Sequence, residues 1–333
     1  MGALSKNVER QWYSKPSWLL LFAPLSALFV VISFLRRKYF AVFQKPKGLS
    51  APVIVVGNIA VGGTGKTPLI ISLVLKLAEL GYKPGVIARG YGAEVEGSVV
   101  VSSQSTAIDV GDEPLLIFQS CHCPVAVGKN RIESAQLLID REKCDLILSD
   151  DGLQHYALHR DVEVAVIDSR RLLGNGWRLP VGPLRESRNR LSEVDFVFCN
   201  GEVVSESWLP QSNTFAGSLE PVHWVNVKTS ETIALNDLPL DGAVAVAGIG
   251  NPHRFFSTLK DLGFAGPTKG FADHHGFSSA DFKEITEPVL MTEKDAVKCS
   301  AFAEDNWWAL SVGFQLPSDF VTSICKKLEG RDK

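Results

Sequence analysis

A lysine and a threonine close a glycine-rich stretch, Gly62-Gly63-Thr64-Gly65-Lys66-Thr67, set between an apolar run at 53–56 and an apolar stretch at 68–80. In a turn of this kind the backbone N–H groups surround phosphate oxygens. The lysine reaches the β- and γ-phosphates, and the threonine hydroxyl binds Mg2+. The strict spacing of the motif asks for glycine at position 60, where this chain has Ala60. Gly62, Gly63 and Gly65 supply the backbone freedom instead. Pro68 suits the first helical turn, where a missing N–H costs little. The chemistry is nucleotide phosphate binding, and the motif is silent about the acceptor.

Carboxylates come next. The stretch CDLILSDDGLQH, 144–155, is an apolar strand ending in Asp150 and Asp151. At the carboxyl edge of a sheet, beside the phosphate turn, one Asp can hold Mg2+ and the other can orient or deprotonate a nucleophile. His155 either contacts phosphate or caps a turn. In VGDEPLLI, 110–117, Asp112 and Glu113 precede an apolar helix. On elementary grounds they are first-turn acids favoured by the helix dipole, with Pro114 beside them. The stretch FADHHGF, 271–277, gathers Asp273, His274 and His275 in a polar loop. Cys121-His122-Cys123 raises the question of zinc, but a structural zinc site needs four ligands and no second CxC or HxxxH pair is present. Buried thiols beside an exposed histidine are the simpler reading.

The elements that must position these residues follow from the hydropathy pattern. Near-continuous apolar runs at 53–56, 85–88, 145–148, 163–167, 195–199 and 243–247 read as parallel strands covered on both faces. Helical stretches at 68–80 and 130–141 alternate with them, which is the doubly wound α/β pattern. A second strand, glycine turn and helix starts near Gly242, after a polar, broken connection at about 200–241 with extended structure around 222–227. The expected organisation is an N-terminal membrane-associated helix at 1–45, a P-loop NTPase-like parallel-sheet domain at 46–215 and a second, smaller α/β domain at 216–333.

The totals agree with a folded protein. Of 333 residues, 45% are hydrophobic and 21% charged, and the formal net charge of −3 gives no global drive toward nucleic acid. Residues 160–190 carry seven arginines against four acids, a local surface for anions. Six scattered cysteines make no disulfide framework in a chain of this length, so a reducing compartment is expected. The segment 18–35 has eighteen uncharged residues closed by Arg36, Arg37 and Lys38, with Pro24 and two serines inside it. Its length is near the lower limit of a bilayer span, about 17–25 residues. The basic cluster follows the apolar part, unlike a cleaved signal peptide. A spanning helix, a helix in the interface and a terminal helix on the protein's own core all remain open. The basic cluster favours a cytosol-facing body.

Taken together, GNIAVGGTGKTP (57–68), RGYG (89–92), GDEP (111–114), DDGLQH (150–155), LPVGPLRE (179–186), DHH (273–275) and TEKDAVK (292–298) resemble, in order and over nearly the whole chain, the tetraacyldisaccharide 4'-kinases. These lipid A kinases act at the cytoplasmic face of the bacterial inner membrane. The resemblance implies transfer of the γ-phosphate of ATP, with Mg2+, to the 4'-hydroxyl of an acylated glucosamine disaccharide 1-phosphate. It also implies two α/β/α domains with the site between them. Gly62, Gly63, Thr64, Gly65, Lys66 and Thr67 would hold ATP. Asp112 would handle the acceptor proton, paired with His274 or else His275, and Asp151 would join the catalytic group. Thr67, Asp150 and Glu113 would surround the metal. Arg185, with Arg171 and His155, would meet substrate or phosphate. A lipid acceptor and a membrane surface are the implied partners, with no obligatory protein partner. Rival readings are a membrane-tethered ATPase or GTPase with water as acceptor, TEKD then imitating a guanine-recognition loop, and a non-catalytic nucleotide-binding scaffold. A dinucleotide oxidoreductase fails because Lys66-Thr67 sits in the turn and G-x-G-x-x-G is absent.

Overall fold

The computed structural model describes residues 3–15, 18–43, 48–93, 95–273 and 275–330. The chain opens with helix α1 (Ala3–Trp12), a 3-10 turn at Trp18–Phe22 and helix α2 (Ala23–Phe43). The stretch Trp18–Phe43 is long and apolar enough to cross a bilayer, its most apolar eighteen residues having a mean hydropathy of 2.4. One face of α2 is fastened to the rest of the protein. The Ser26 hydroxyl donates to the Arg178 carbonyl at 3.0 Å, Arg37 pairs with Glu193, and Phe40 meets the Tyr156 ring at 6.3 Å between centres. Residues eleven and fourteen apart return to nearly the same side of a helix with 3.6 residues per turn. Leu25, Leu28, Ile32 and Leu35 are each more than half exposed.

The chain then alternates strand and helix: β1 (Val53–Gly57), α3 (Lys66–Glu79), β2 (Pro84–Ala88), β3 (Ser98–Val100), α4 (Ala107–Val110), α5 (Asp112–Cys121), β4 (Val125–Gly128), α6 (Arg131–Glu142), β5 (Leu146–Asp150), β6 (Val162–Asp168), β7 (Phe196–Asn200) and β8 (Thr214–Gly217). These strands form one sheet in the order β3-β4-β2-β5-β1-β6-β7-β8. All its pairings are parallel except β3 with β4. Successive β1 residues feed opposite cores: Ile54 packs with Leu69 and Leu73 of α3 and Ile117 of α5, Val55 with Leu138 of α6 and Leu153. Burial on both faces is why these strands read as unbroken apolar runs.

A second sheet follows, built from β9 (Leu219–Asn226), β10 (Thr232–Ile233), β11 (Val244–Ala247), β12 (Thr268–Gly270), β13 (Val289–Thr292) and β14 (Trp307–Phe314), with helices α7 (Pro252–Asp261), α8 (Glu293–Cys299) and α9 (Ser318–Glu329). Its order is β10-β9-β14-β13-β11-β12. β9 runs antiparallel to β14 and β10, and the other pairings are parallel.

Each of the six expected strands coincides with an observed one to within one or two residues; β3, β4, β8, β10, β12, β13 and β14 were not anticipated. The expected unit at 216–333 also included α9, yet α9 packs on the first sheet. Phe320 lies 5.1 Å from Phe198 and 5.0 Å from Phe215 between ring centres, and Ile324 and Leu328 join the same core. The cause is where β14 ends: the Phe314 N–H donates to Ser72 Oγ of α3 at 2.9 Å, delivering the chain to the first sheet's flank.

Candidate active site

The loop between β1 and α3 is held from inside by Asn58, which is fully buried. Its Nδ2 donates to the Gly62 carbonyl at 3.3 Å and to Thr64 Oγ1 at 3.4 Å. Gly65 precedes α3 with a φ of +93°, and a Cβ there would lie 2.5 Å from Asn200 Nδ2. Both conditions require glycine. Ala60 forms an antiparallel bridge with Leu184 and is not among the residues of positive φ. An extended residue of any type serves there, which explains the departure from the strict motif. The same pairing, with the Arg185 N–H donating to Ile59 at 2.7 Å and the Val61 N–H to Pro183 at 2.8 Å, carries Arg185 to the loop.

Lys66 opens α3 with Thr67 beside it, and its Nζ stands 3.6 Å from Asp151 Oδ1. Arg185 Nη1 donates to Asp151 Oδ2 at 2.8 Å. Burial works to raise the Asp151 carboxyl, but Lys66 and Arg185 outweigh it and hold the group below the usual carboxylate range. Asp150, the last residue of β5, is 4% exposed, and its Oδ1 has no hydrogen-bond partner among the described residues. Burial, aided by the Glu113 and Asp151 carboxylates, pushes it up to about 7 against Lys66 and Arg131. Arg131 is buried behind the strand ends, donating to the Ile87 carbonyl at 3.1 Å and Ser149 Oγ at 2.9 Å.

Asp112 and Glu113 begin α5. Gly111, with φ +94°, packs against Gly90 of the RGYG stretch so closely that a Cβ at Gly111 would be 3.4 Å from the Gly90 Cα. Asp112 is 8% exposed and its Oδ1 accepts the Glu113 N–H at 3.0 Å. From the second sheet's α8, Lys294 Nζ reaches Glu113 Oε1 at 2.7 Å and Asp112 Oδ2 at 3.9 Å. Burial works against the Lys294 ammonium, but Glu113, Asp112 and Asp273 outweigh it and raise its pKa.

The other TEKD residues fix α8 in place. Thr292 caps it, its Oγ1 accepting the Asp295 N–H at 3.2 Å. Asp295, fully buried, accepts the Gly248 N–H at 2.9 Å and Lys298 Nζ at 2.8 Å. Those internal bonds leave the guanine-loop reading of TEKD without support. Glu293 accepts the Val312 N–H at 3.2 Å, and burial pushes its carboxyl up to about 7.

The structure thus joins Lys66, Asp151 and Arg185 in one group, and Asp112, Glu113 and Lys294 in another, with Asp150 electrostatically coupled to both through Glu113 and Lys66. Arg171 stands apart from Arg185. It lies 5.1 Å over the Tyr13 ring, pairs with Glu9 at 3.3 Å, and flanks the loop at Gly62. Burial and the surrounding arginines push His155 down to about 4, so its ring is neutral near pH 7. His274 lies outside the described residues. His275 pairs with Asp281 at 3.4 Å between Phe271 and Phe277, all in the second unit. Sequence reasoning missed Lys294, Gln154, Glu186 and Arg131. Three of the four sit inside or beside the quoted motifs. Gln154 donates to Glu186 at 2.6 Å and accepts from Arg185 at 3.2 Å, and Tyr156 donates to Glu186 at 3.1 Å, which connects Asp151's neighbour to the face under α2.

Among the described residues no three His, Cys, Asp or Glu side chains form a metal cage. Mg2+ does not need one, because it retains waters and binds through one or two carboxylates and substrate phosphates. The orphaned Asp150 oxygen near Lys66 fits that mode.

A mostly parallel sheet whose first strand leads through this loop to Lys66, with acids at the end of the adjacent strand, defines a P-loop nucleotide-binding protein. A profile of the tetraacyldisaccharide-1-P 4'-kinases matches residues 18–329. The tetraacyldisaccharide 4'-kinase of Tolumonas auensis is 46% identical over 329 residues, 97% of each chain. That of Methylobacillus flagellatus is 44% identical over 330 residues, 98% of this chain and 97% of its own. LpxK from Aquifex aeolicus, crystallised in complex with ATP, is similar with a TM-score of 0.81 and 28% identity, over 94% of this chain and 100% of that one. The chain belongs to the tetraacyldisaccharide-1-P 4'-kinase family. It is a kinase of lipid A biosynthesis.

Proposed function

We propose that the chain transfers the γ-phosphate of ATP to the 4'-hydroxyl of tetraacyldisaccharide 1-phosphate at the cytoplasmic surface of the inner membrane. The observation that carries this reading is the pairing of two groups: phosphate loop, Lys66, Asp151 and Arg185 on one side, Asp112 with Glu113 and Lys294 on the other. Loop N–H groups and Lys66 bind the β- and γ-phosphates. Arg185, fixed by Asp151 and Gln154, meets phosphate of nucleotide or acceptor. A sugar hydroxyl is a weak nucleophile, and Asp112 takes its proton as it attacks. Asp151 positions the Lys66 and Arg185 cations for direct in-line transfer, and His155, neutral, offers a hydrogen bond and no charge.

Thr67, Asp150 and Glu113 would hold Mg2+, with Glu113 shared with Lys294. Held there, Mg2+ would supply neutralisation of the charge that develops on the transferring phosphoryl group. Four carboxylates (Asp112, Glu113, Asp150, Asp151) already face four cations (Lys66, Arg131, Arg185, Lys294), so a polyanionic nucleotide brings charge these residues alone do not offset.

The acceptor's acyl chains hold it in the bilayer at ~0.8 kcal/mol per buried CH2, so the enzyme must work at the interface. Contacts at Ser26, Arg37 and Phe40 tie α2 to the body over nearly four turns. A helix crossing the hydrocarbon along 18–35 would pull Arg178 in with it. We therefore read α2 as lying in the interface, apolar face down, with Lys38 toward anionic headgroups.

The test is incubation of the full chain in detergent with γ-labelled ATP, Mg2+ and the tetraacyl disaccharide 1-phosphate. Label on the lipid at the 4' position is expected. Label released only as inorganic phosphate, with or without lipid, would overturn the acceptor assignment.

A further inference from the structure

The phosphate loop has a second support, and it reaches across to the other sheet. β7 ends in Asn200, 3% exposed, and both ends of its amide are used. Nδ2 donates to the Thr64 carbonyl at 3.0 Å and Oδ1 accepts from Arg254 Nη2 at 2.8 Å. Arg254 belongs to α7, and its Nη1 stands 3.8 Å from Asp168 Oδ2 at the end of β6. Asp168 Oδ1 in turn accepts the backbone N–H groups of Arg170 and Arg171 at 2.9 and 3.0 Å. One guanidinium from the second unit therefore spans the ends of two adjacent strands of the first. Phe314 of β14 closes the remaining side, 3.3 Å from where a Gly65 Cβ would be.

The peptide plane gives this arrangement a consequence. The Thr64 C=O and the Gly65 N–H belong to one trans peptide unit and point in opposite directions. Drawing the carbonyl toward Asn200 aims the Gly65 N–H away from Asn200, into the loop where phosphate oxygens must be met.

We propose that Asn200 and Arg254 are positioning residues for the nucleotide. Asn200 sets the Thr64–Gly65 peptide, and Arg254 makes that setting depend on the second unit being seated against β6 and β7. The proposal rests on the reading of ATP as phosphate donor. It requires neither residue to touch the acceptor, and it makes the second unit a determinant of nucleotide affinity.

The test uses the full chain in detergent with Mg2+ and four variants: Asn200→Ala, Asn200→Asp, Arg254→Met and Arg254→Lys. ATP dissociation constants are measured by equilibrium binding, alongside kcat, KM for each substrate and the thermal midpoint without nucleotide. Losing one buried hydrogen bond that orients the peptide predicts about a tenfold rise in the ATP dissociation constant and KM for Asn200→Ala and Arg254→Met. KM for the lipid and the nucleotide-free midpoint stay unchanged. Arg254→Lys recovers most of the affinity. Asn200→Asp, which still accepts from Arg254 but sets a carboxylate against the Thr64 carbonyl, binds ATP more weakly than Asn200→Ala. Unchanged ATP affinity in Asn200→Ala and Arg254→Met overturns the proposal. So does an equal rise in both KM values with a lowered midpoint, the pattern of general loosening. Should Asn200→Ala not fold, Arg254→Met decides alone, since that side chain is one-third exposed. Equilibrium binding is read without transfer, so an error in the acceptor assignment leaves this result standing.

Discussion

Asp112 meets a cation from the other sheet, and its role is testable one residue at a time. Its side chain lies at the start of α5 and is not part of the loop that binds phosphate, so removing it should separate chemistry from nucleotide binding. Asp112→Ala is expected to lower kcat by about 10²–10⁴-fold with the ATP dissociation constant nearly unchanged. Equal loss of both would move Asp112 from chemistry to structure. Glu293 makes a different prediction, about pH. Its carboxyl is pushed up to about 7 by burial, above the ordinary value near 4.3. Between those values the folded chain binds more protons than the unfolded one, so this residue's contribution to stability falls as pH rises from about 4.5 to 7 and is flat above. Glu293→Gln should remove that slope, and its thermal midpoint relative to the parent should be higher at pH 8 than at pH 5. A parallel pair of pH curves would contradict the assignment. Lys66 and Asp151 were singled out in the sequence by motif spacing, Asp112 and Arg185 only through the family resemblance. Asn200 was not, because its work is a bond to a backbone carbonyl brought close only by β7 lying near the loop.

Burial on both faces made five strands of the first sheet legible, though not β4, which is equally buried. Strands β1, β2, β5, β6 and β7 are covered on both faces and announce themselves as apolar runs. β14 does not, since Trp307–Phe314 mixes buried and half-buried positions and carries a register shift between Ser311 and Val312. With β14 unseen, the destination of α9 was unseen too. Amphipathic periodicity says that a helix has an apolar face and nothing about which core receives it. Phe320, fully buried against the first sheet, gives the check. Phe320→Ala should cost about 3–5 kcal/mol of unfolding free energy in urea titration, with KM values kept in the folded fraction. A cost below about 1 kcal/mol would mean that the helix is not part of that core.

For the whole molecule, the largest feature is a helix clasped along one side and bare along the other. Leu28 and Ile32 are 54% and 56% exposed, and both are placed to enter a bilayer. Replacing both with Asp should abolish sedimentation with vesicles of zwitterionic and anionic phospholipid. Phosphorylation of acceptor presented in detergent micelles should persist. Unaltered sedimentation would put the membrane contact elsewhere. The sequence supplied an apolar segment of nearly spanning length, and length alone left spanning and lying flat equal. The three contacts on one face are what support the flat reading proposed above.

On the interfacial reading proposed above, those three contacts also govern how the enzyme samples its acceptor. A body held to α2 along nearly four turns then cannot rise and fall freely above the bilayer, so the site stays at one height and sweeps sideways. What it meets is then set by the mole fraction of acceptor in the surface and by lateral diffusion, and hardly by the amount per volume of solution. Spreading a constant quantity of acceptor through more inert lipid should slow turnover in proportion to that dilution, as in any reaction confined to two dimensions.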